Sequence, residues 1–400
     1  MSETRVAGHE IDAAVIARMV GLRRDLHRWP ELSGNEYKSR ARIADELNEI
    51  GLTDVRQIAG TGLAVDVVGD PAGPCVVVRA DMDALPIAEQ SGLPFSSDVP
   101  GVMHACGHDA HSAMGFGAAS LAAASLAAAG PDALPGTLRF VFQPAEEAEP
   151  LGGRRVVSEG HLDDVAAAVA LHVDPNLETG AVGLRSGPSM ASSDEFTITV
   201  QGQGGHAGWP HEAVDAIAAA AAIVGELQKV VSRRVDPRAP VALHIGRIEG
   251  GSASNVVAES VTMAGTIRAL STDARDTVRR LLGEVSDSIA RACGARATVE
   301  LVVGEPVLDN DPAVIAAFAA AARPGTVHRL AHATMNSEDF AFYTERVPAA
   351  MAWIGVGGEG HAPLHHPRFT LDEAVLPIGA TLLFAAACAL LADPPGKVKR

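Results

Sequence analysis

The 400-residue sequence predicts an α/β fold, in which helices flank a mostly parallel sheet and a smaller ferredoxin-like domain is inserted. In the first half, segments with helical periodicity (15–26, 38–50 and 110–129) alternate with apolar runs of strand length (75–80, 137–142 and 165–171). Apolar strands that alternate with helices are typical of a parallel sheet covered on both faces. After residue 304 a helix, a strand at 351–356 and a second helix follow, so we expect the chain to rejoin this sheet.

The middle of the chain has a different pattern. Residues 195–200 alternate between apolar and polar, as expected of a half-exposed strand. The predicted order is strand 195–200, helix 214–231, strands 241–248 and 261–268, a helix from Ser271 or Thr272 to 291, and strand 296–303. This βαββαβ order is that of a ferredoxin-like sandwich. We therefore predict three segments: 1–188 and 304–400 form the larger domain, and 189–303 form the inserted one.

Composition and charge exclude some functions. The net charge of −17 argues against a nucleic-acid partner, because affinity for phosphate depends on basic side chains. Four scattered cysteines suggest a reducing compartment, and the charged N-terminus has no apolar signal segment, so we expect a cytoplasmic protein. The apolar stretches 113–130 and 375–392 are interpreted as buried helices, and no membrane partner is expected.

Several predicted strands end in polar residues. Asp81 and Asp83 follow the first, the Glu146 and Glu147 pair follows the second, and His172 follows the third. The loop after 351–356 contains His361, His365 and His366. Open α/β sheets place their sites at the carboxyl ends of strands. A single carboxylate there is usually a turn residue, but four such endings together favour a metal site.

The segment 103–111 concentrates possible ligands. We expect Asp109 to cap the helix at 110–129, which would place Cys106 and His108 at the positive end of its dipole and favour a thiolate. A thiolate and an imidazole are zinc-type ligands, although a buried cysteine beside a capping turn would look the same in sequence. One carboxylate of the Glu146 and Glu147 pair could bind metal while the other takes a proton from water, unless both are solvated.

Together these motifs resemble the dinuclear-metal amidohydrolases, a family that includes aminoacylases, hippurate hydrolases, indole-acetyl-amino-acid hydrolases and, more distantly, carboxypeptidase G. The resemblance covers nearly the whole chain. It rests on LHRWPE (26–31), RADMDALP (79–86), MHACGHDAH (103–111), QPAEE (143–147), GGHA (204–207), GGSASN (250–255), GTIR (265–268), SEDF (337–340) and LHHPRF (364–369).

The resemblance implies a two-metal site in which Glu146 is the general base. The metal ligands it implies are Cys106, His108, Glu147, His172 and His365. Asp81 stands where the peptidase branch has a ligand histidine, and Asp83 would orient a ligand imidazole by hydrogen bond. The choice of His365 over His366 follows the family's L-H-x-P pattern, and the alternative stays open.

The resemblance also assigns residues of the inserted domain, which would serve as a lid and a dimerisation domain. His206 resembles the histidine that stabilises the oxyanion in the neighbouring subunit's site, so a homodimer or a higher homo-oligomer is expected. Asn255 and Arg268 resemble substrate-binding residues, and the planar guanidinium of Arg268 suits a carboxylate.

The predicted activity is hydrolysis of the amide bond of N-acyl amino acids or related small amides. Two divalent metals per subunit are expected, zinc first, with manganese, cobalt and nickel also compatible with sulfur, nitrogen and oxygen ligands. A dipeptidase or carboxypeptidase of the same family is the nearest alternative. Two others come from different classes: a non-catalytic metal-dependent binding protein, and a thiol redox protein that uses Cys106 with Cys75.

Overall fold

The computed structural model describes residues 5–6 and 9–396, with side chains from Ile11 onward. Two compact units make up the chain. The first comprises Met1–Gly187, Asp309–Ala331 and Asp339–Arg400, and the second comprises Pro188–Leu308 and His332–Glu338. The predicted insertion, 189–303, lies within the second unit, and its functional boundaries stay a prediction.

The first unit contains an eight-stranded sheet, and the helices predicted at 15–26, 38–50 and 110–129 are present, whereas two short helices, Gly152–Ser158 and Ala341–Arg346, were not predicted. The helices are α1 (Ala13–Arg28), α2 (Tyr37–Glu49), α3 (His108–Ala129), α4 (Gly152–Ser158), α7 (Pro312–Ala321), α8 (Ala341–Arg346) and α9 (Val375–Ala392). Its strands are β1 (Arg5–Val6), β2 (His9–Glu10), β3 (Arg56–Ile58), β4 (Gly62–Val68), β5 (Cys75–Asp81), β6 (Thr137–Gln143), β7 (Val165–Glu178), β8 (Val182–Leu184), β17 (Val327–Arg329) and β18 (Ala349–Gly357). Strands β9 (Gly187–Met190) and β16 (Leu308–Asn310) lie where the chain passes between units.

The sheet order is β17-β8-β18-β7-β5-β6-β4-β3. The four central strands, β18, β7, β5 and β6, are parallel to their neighbours in that group, so the predicted α/β fold is confirmed. Strand β4 was not predicted, and it pairs antiparallel with both β3 and β6. Its register places Asp66 opposite Arg139 of β6, and the two side chains form an ion pair.

Two long apolar helices lie in the core of the first unit. By length and composition α3 and α9 could each cross a membrane, but 61% and 78% of their most apolar windows are buried inside the protein. Residues from Ala110 to Ala122 of α3 are buried without interruption. This agrees with the interpretation of both stretches as core helices.

The second unit is a four-stranded antiparallel sheet with two helices. Its elements are β10 (Ser192–Gln201), β11 (Gly205–His206), α5 (Ala216–Arg234), β12 (Val241–Gly250), β13 (Val256–Val257), β14 (Ser260–Ala269), α6 (Thr272–Ala292) and β15 (Arg296–Val303). The strand order is β12-β14-β10-β15, as a βαββαβ domain requires. The Ser271 hydroxyl accepts a hydrogen bond from the amide of Ala274, so Ser271, the first of the two predicted starts, caps α6.

Candidate active site

The residues at the carboxyl ends of the parallel strands come together in the first unit. Asp81 ends β5, Glu146 and Glu147 follow β6, and His172 lies within β7 where that strand continues further than predicted. The loop after β18 contributes His365. Because these four strands are parallel neighbours, their carboxyl ends meet at one edge of the sheet.

A glycine turn places the other two ligand candidates. Gly107 has φ of 83°, a backbone conformation that glycine adopts without strain. A Cβ at this position would also lie 2.6 Å from a methyl carbon of Val173, so the turn packs closely against the strand that carries His172. The turn separates Cys106 from His108, the first residue of α3, and lets both side chains reach the same site.

The prediction that Asp109 caps α3 is wrong. Gly107 is the N-cap residue, and Asp109 lies inside the first turn, where its carboxylate accepts hydrogen bonds from Arg23 (2.9 Å) and His27 (2.8 Å). Burial, followed by the negative charge of Glu147, raises the pKa of the Cys106 thiol. The helix terminus therefore does not produce a thiolate by itself, whereas a bound divalent cation would do so.

Two groups of ligand atoms share Cys106. In one group the ligand atoms of Cys106, His108 and His172 all lie within 4.8 Å of one another, and in the other so do those of Cys106, Glu147 and His365. The distance from Cys106 Sγ to His172 Nε2 is 3.5 Å, and that from His365 Nε2 to Glu147 Oε1 is 3.3 Å. All five predicted ligands are thus brought together, and His365 rather than His366 is the histidine that joins them.

Hydrogen bonds orient two of the imidazoles. His108 Nδ1 lies 3.1 Å from Asp83 Oδ1, and His172 Nδ1 donates to the carbonyl of Val173 at 2.8 Å. Each ring therefore directs Nε2 toward the ligand cluster, an arrangement typical of metal-binding histidines. Asp83 also accepts hydrogen bonds from the Ser33 hydroxyl and the Glu147 amide through Oδ2, so it has the contact predicted for it.

An unpaired atom in the cluster fits a bound cation. Among the described residues, His108 Nε2 is buried and has no hydrogen-bond partner, whereas Glu147 Oε1 is buried 3.3 Å from His365 Nε2. Buried polar atoms are rarely left unsatisfied, because each costs about 1–3 kcal/mol. A thiol, imidazoles and a carboxylate are the donors that zinc and similar divalent metals accept, so the residues present fit a metal site.

His365 has a shifted pKa and an unusual backbone conformation. Its hydrogen bond with Cys106, and to a lesser extent that with Glu147, raises its pKa to about 10, although burial opposes the shift. His365 also has φ of 61°, in the left-handed region that residues other than glycine seldom adopt. Its amide donates to the carbonyl of Ala105, which ties this loop to the segment before Cys106. Backbone strain of this kind clusters at functional sites.

Glu146 lies beside the cluster. A carboxylate oxygen of Glu146 lies within 4.8 Å of ligand atoms from His108 and Glu147. The preceding residue, Ala145, has φ of 51°, and its amide donates to the Glu36 carboxylate at 2.8 Å. This strained turn directs the two adjacent glutamates to different positions in the same site.

Sequence reasoning missed His111, Arg79 and Asp339. His111 lies 2.6 Å from Asp81 Oδ1 through Nδ1, and its Nε2 accepts the amide of Val173 at 3.0 Å. Arg79 donates to Asp81 Oδ2 and to Asp339 Oδ1, both at 2.7 Å. The spacing of three residues between His108 and His111 on one helix was the signal that could have identified His111.

The three residues predicted to act in the second unit occupy two places: His206 and Asn255 lie close together, and Arg268 lies in β14. The exposed His206 is in β11, which pairs with β13 immediately after Asn255, and the carbonyl of Asn255 accepts the amide of Ala207 at 3.1 Å. Arg268 is half-buried in β14, and its guanidinium donates to the Ser337 hydroxyl at 3.0 Å.

Cys75 cannot act as a partner for Cys106. It begins β5, whereas the cluster lies where β5 ends at Asp81, and seven residues of strand span about 20 Å. Burial raises the pKa of the Cys75 thiol to about 12. The thiol redox interpretation, which paired Cys106 with Cys75, is therefore not supported.

Comparisons with known proteins agree with this geometry. A profile of "Peptidase family M20/M25/M40" matches residues 77–389. N-acetylcysteine deacetylase of Bacillus subtilis (strain 168) is 41% identical over 374 residues, which are 92% of this chain and 96% of that protein. IAA-amino acid hydrolase ILR1-like 5 of Arabidopsis thaliana is 36% identical over 385 residues, which are 94% of this chain and 87% of that protein.

A solved structure is also similar. The crystal structure of a Bacillus subtilis protein, described as a dinuclear metal binding peptidase from the M20 family, has a TM-score of 0.83 and 36% identity. The match covers 96% of this chain and 99% of that one. The chain therefore belongs to peptidase family M20/M25/M40 and is a metal-dependent amide hydrolase of that family.

Proposed function

We propose that this protein hydrolyses the amide bond of N-acyl amino acids at a two-metal site. The observation that carries the proposal is the pair of ligand groups that share Cys106, with an unpaired buried nitrogen on His108 and the carboxylate of Glu146 beside them. The proposed ligands are Cys106, His108, Glu147, His172 and His365. Zinc is the expected metal, and manganese, cobalt and nickel also suit this donor set.

Each protein residue has a defined part in the proposed reaction. Bound divalent ions would lower the pKa of a water molecule and polarise the amide carbonyl. Glu146 accepts the proton of the attacking water and then donates it to the departing amine. Asp83 keeps the His108 ring in orientation through the hydrogen bond to Nδ1.

The second unit supplies substrate contacts in this proposal. The amide of Gly208 donates to His206 Nδ1 at 2.9 Å, so His206 carries its proton on Nε2 and that N–H is a donor for the oxyanion. This donor would come from the neighbouring subunit of a homodimer. Arg268 would bind the substrate carboxylate and Asn255 the amide, and the unit would serve as a lid. The dimer and the cytoplasmic location are predictions of the same proposal.

Two alternatives are less well supported. The relatives named above are a deacetylase of an N-acetyl amino acid and a hydrolase of an acyl-amino acid conjugate, which favours acylated amino acids over dipeptides. A binding protein without catalytic activity has no need for a second carboxylate beside a complete ligand set, and Glu146 is such a carboxylate.

The test uses metal-stripped protein reconstituted with each candidate ion and assayed on N-acetyl amino acids, arylacetyl amino acids and dipeptides. We expect faster turnover of the acylated amino acids. Glu146→Gln should keep both ions and lose about 100- to 10,000-fold in kcat, the usual contribution of a general base. Glu149→Gln, which changes an exposed carboxylate of the same loop, is the matched control. Preference for dipeptides, or near-normal kcat in Glu146→Gln, would contradict the proposal.

A further inference from the structure

His111 lies between the two histidines of the ligand cluster without being a ligand itself. Its ring centroid is 5.4 Å from that of His108 and 4.8 Å from that of His172. The residue is only 2% exposed. Ligand atoms of Asp81, His108 and His111 also lie within 4.8 Å of one another, so proximity alone would make this a third metal group.

The hydrogen bonds of His111 exclude coordination. The Val173 amide donates to Nε2 at 3.0 Å, so the lone pair of Nε2 is used and the ring proton is on Nδ1. Nδ1 in turn donates to Asp81 Oδ1 at 2.6 Å. Neither nitrogen has a lone pair left for a metal.

The two contacts of His111 act on different parts of the site. Val173 directly follows His172, and its carbonyl accepts the proton of His172 Nδ1. The hydrogen bond to the Val173 amide therefore holds the peptide unit that joins His172 to Val173, and the Val173 carbonyl that orients the His172 ring belongs to the next peptide unit. Val173 also packs against the Gly107 turn, so the position of this peptide affects the segment that carries Cys106 and His108.

The contact with Asp81 concerns a competing carboxylate. Asp81 Oδ2 lies 3.8 Å from His108 Nε2, close enough to compete for a metal on that ring. Arg79 binds Oδ2 and His111 binds Oδ1, so both oxygens are engaged by protein donors. In this chain the Asp81 carboxylate is therefore occupied by Arg79 and His111.

We propose that His111 is a positioning residue, which fixes the His172 ligand through the Val173 amide while it holds the Asp81 carboxylate away from the metals. The inference rests on the proposed two-metal site. It predicts that the affinity for one of the two ions depends on the acceptor at His111 Nε2. Loss of an outer contact of this kind typically weakens metal binding by about 10- to 100-fold.

Two isosteric variants separate the contacts. Asparagine places its amide nitrogen near the position of Nδ1, so His111→Asn keeps the donor to Asp81 and loses the acceptor for Val173. Glutamine reaches the position of Nε2, so His111→Gln keeps that acceptor. Ser112→Ala is the matched control, because it removes a buried hydrogen bond from the same helix to the Asp81 carbonyl and touches neither contact of His111.

The measurements are chelator competition for each ion, the visible spectrum of the cobalt-substituted protein, and urea unfolding. We expect His111→Asn to bind one ion about 10- to 100-fold more weakly with a changed cobalt spectrum, and His111→Gln and Ser112→Ala to stay within about threefold of the unmodified protein. Equal weakening by both His111 variants, or an affinity and spectrum in His111→Asn like those of Ser112→Ala, would overturn the inference. Failure of the unmodified protein to bind two ions would instead contradict the proposed site.

Discussion

Two groups of polar side chains meet at the same edge of the eight-stranded sheet and differ in how completely their atoms are paired. Arg79, Asp81, Asp339 and His111 form a buried network in which each carboxylate accepts from named donors. The neighbouring cluster around Cys106 contains a buried nitrogen, His108 Nε2, with no hydrogen-bond partner among the described residues. Because buried polar groups are normally satisfied, the first group is structural support and the second is prepared for a ligand.

The largest expected effect comes from breaking the paired network. Arg79 is 1% exposed and pairs with Asp81 and Asp339, so Arg79→Met removes the guanidinium that two buried carboxylates share. Removal of one partner from a buried ion pair costs about 3–5 kcal/mol. Urea unfolding of metal-stripped protein checks this, and Arg280→Met, which breaks an exposed helix pair, is the control. A loss below about 1 kcal/mol would remove the distinction between the two groups.

For the cluster around Cys106 we expect the opposite result, a large loss of metal affinity with little loss of stability. Cys106→Ser replaces the residue that both ligand groups share, so we expect the affinity for divalent metal to fall more than about 100-fold, beyond the usual effect of an outer contact. The metal-stripped variant should unfold within about 1 kcal/mol of the unmodified protein, because the thiol satisfies little of the buried network. Chelator competition and urea unfolding measure the two quantities. The exposed Cys293, changed to serine, is the control, and equal metal affinity in both variants would contradict the comparison.

The smallest expected effect is a pH dependence of stability that comes from the buried His27, which pairs with Asp109 and Glu89. Burial lowers the pKa of His27, but hydrogen bonds to Asp109 and Glu89 outweigh it and raise the pKa from 6.5 to about 9. The pKa of His27 in the folded protein lies above its ordinary value, so protonated His27 stabilises the folded state. This contribution is complete below pH 6.5 and is lost as the pH rises toward 9. His27→Gln should therefore lose on the order of 2 kcal/mol near pH 6 and much less above about pH 9.

Urea unfolding of metal-stripped protein at both pH values measures this difference. The control is His211→Gln, at an imidazole that is 72% exposed. A stability gap between His27→Gln and the unmodified protein that does not change with pH would show that His27 contributes packing rather than charge.

The positions of three ligand candidates, Glu147, His172 and His365, could be predicted because they come after predicted strands. Residues after apolar runs of strand length must emerge at an edge of the sheet, and the central strands proved to be parallel neighbours with that edge in common. The role of Asp109 could not be predicted in the same way. An aspartate before a helix pattern usually caps it, but here glycine takes that position and the Asp109 carboxylate pairs with Arg23, which lies 86 residues away in sequence.

His111 illustrates the same difference. Its spacing from His108 shows that both lie on one face of a helix, and this is compatible with coordination or with support. The choice depends on the Val173 amide, which is 62 residues away in sequence and uses the lone pair of Nε2. Strand β4 escaped prediction because its antiparallel pairing depends on partners elsewhere in the chain.

The sequence by itself determined the α/β class and the βαββαβ order of the middle segment, because periodicity is a local property of the chain, and its motifs carried the resemblance that implies the ligand set. The tertiary structure decided which polar atoms are paired and which are left for a ligand. That decision depends on hydrogen bonds between residues far apart in sequence, as in the contacts of Arg79 with Asp339 and of Asp109 with Arg23 and His27. No local pattern encodes such pairings, so they become visible only when the strands and helices are in place.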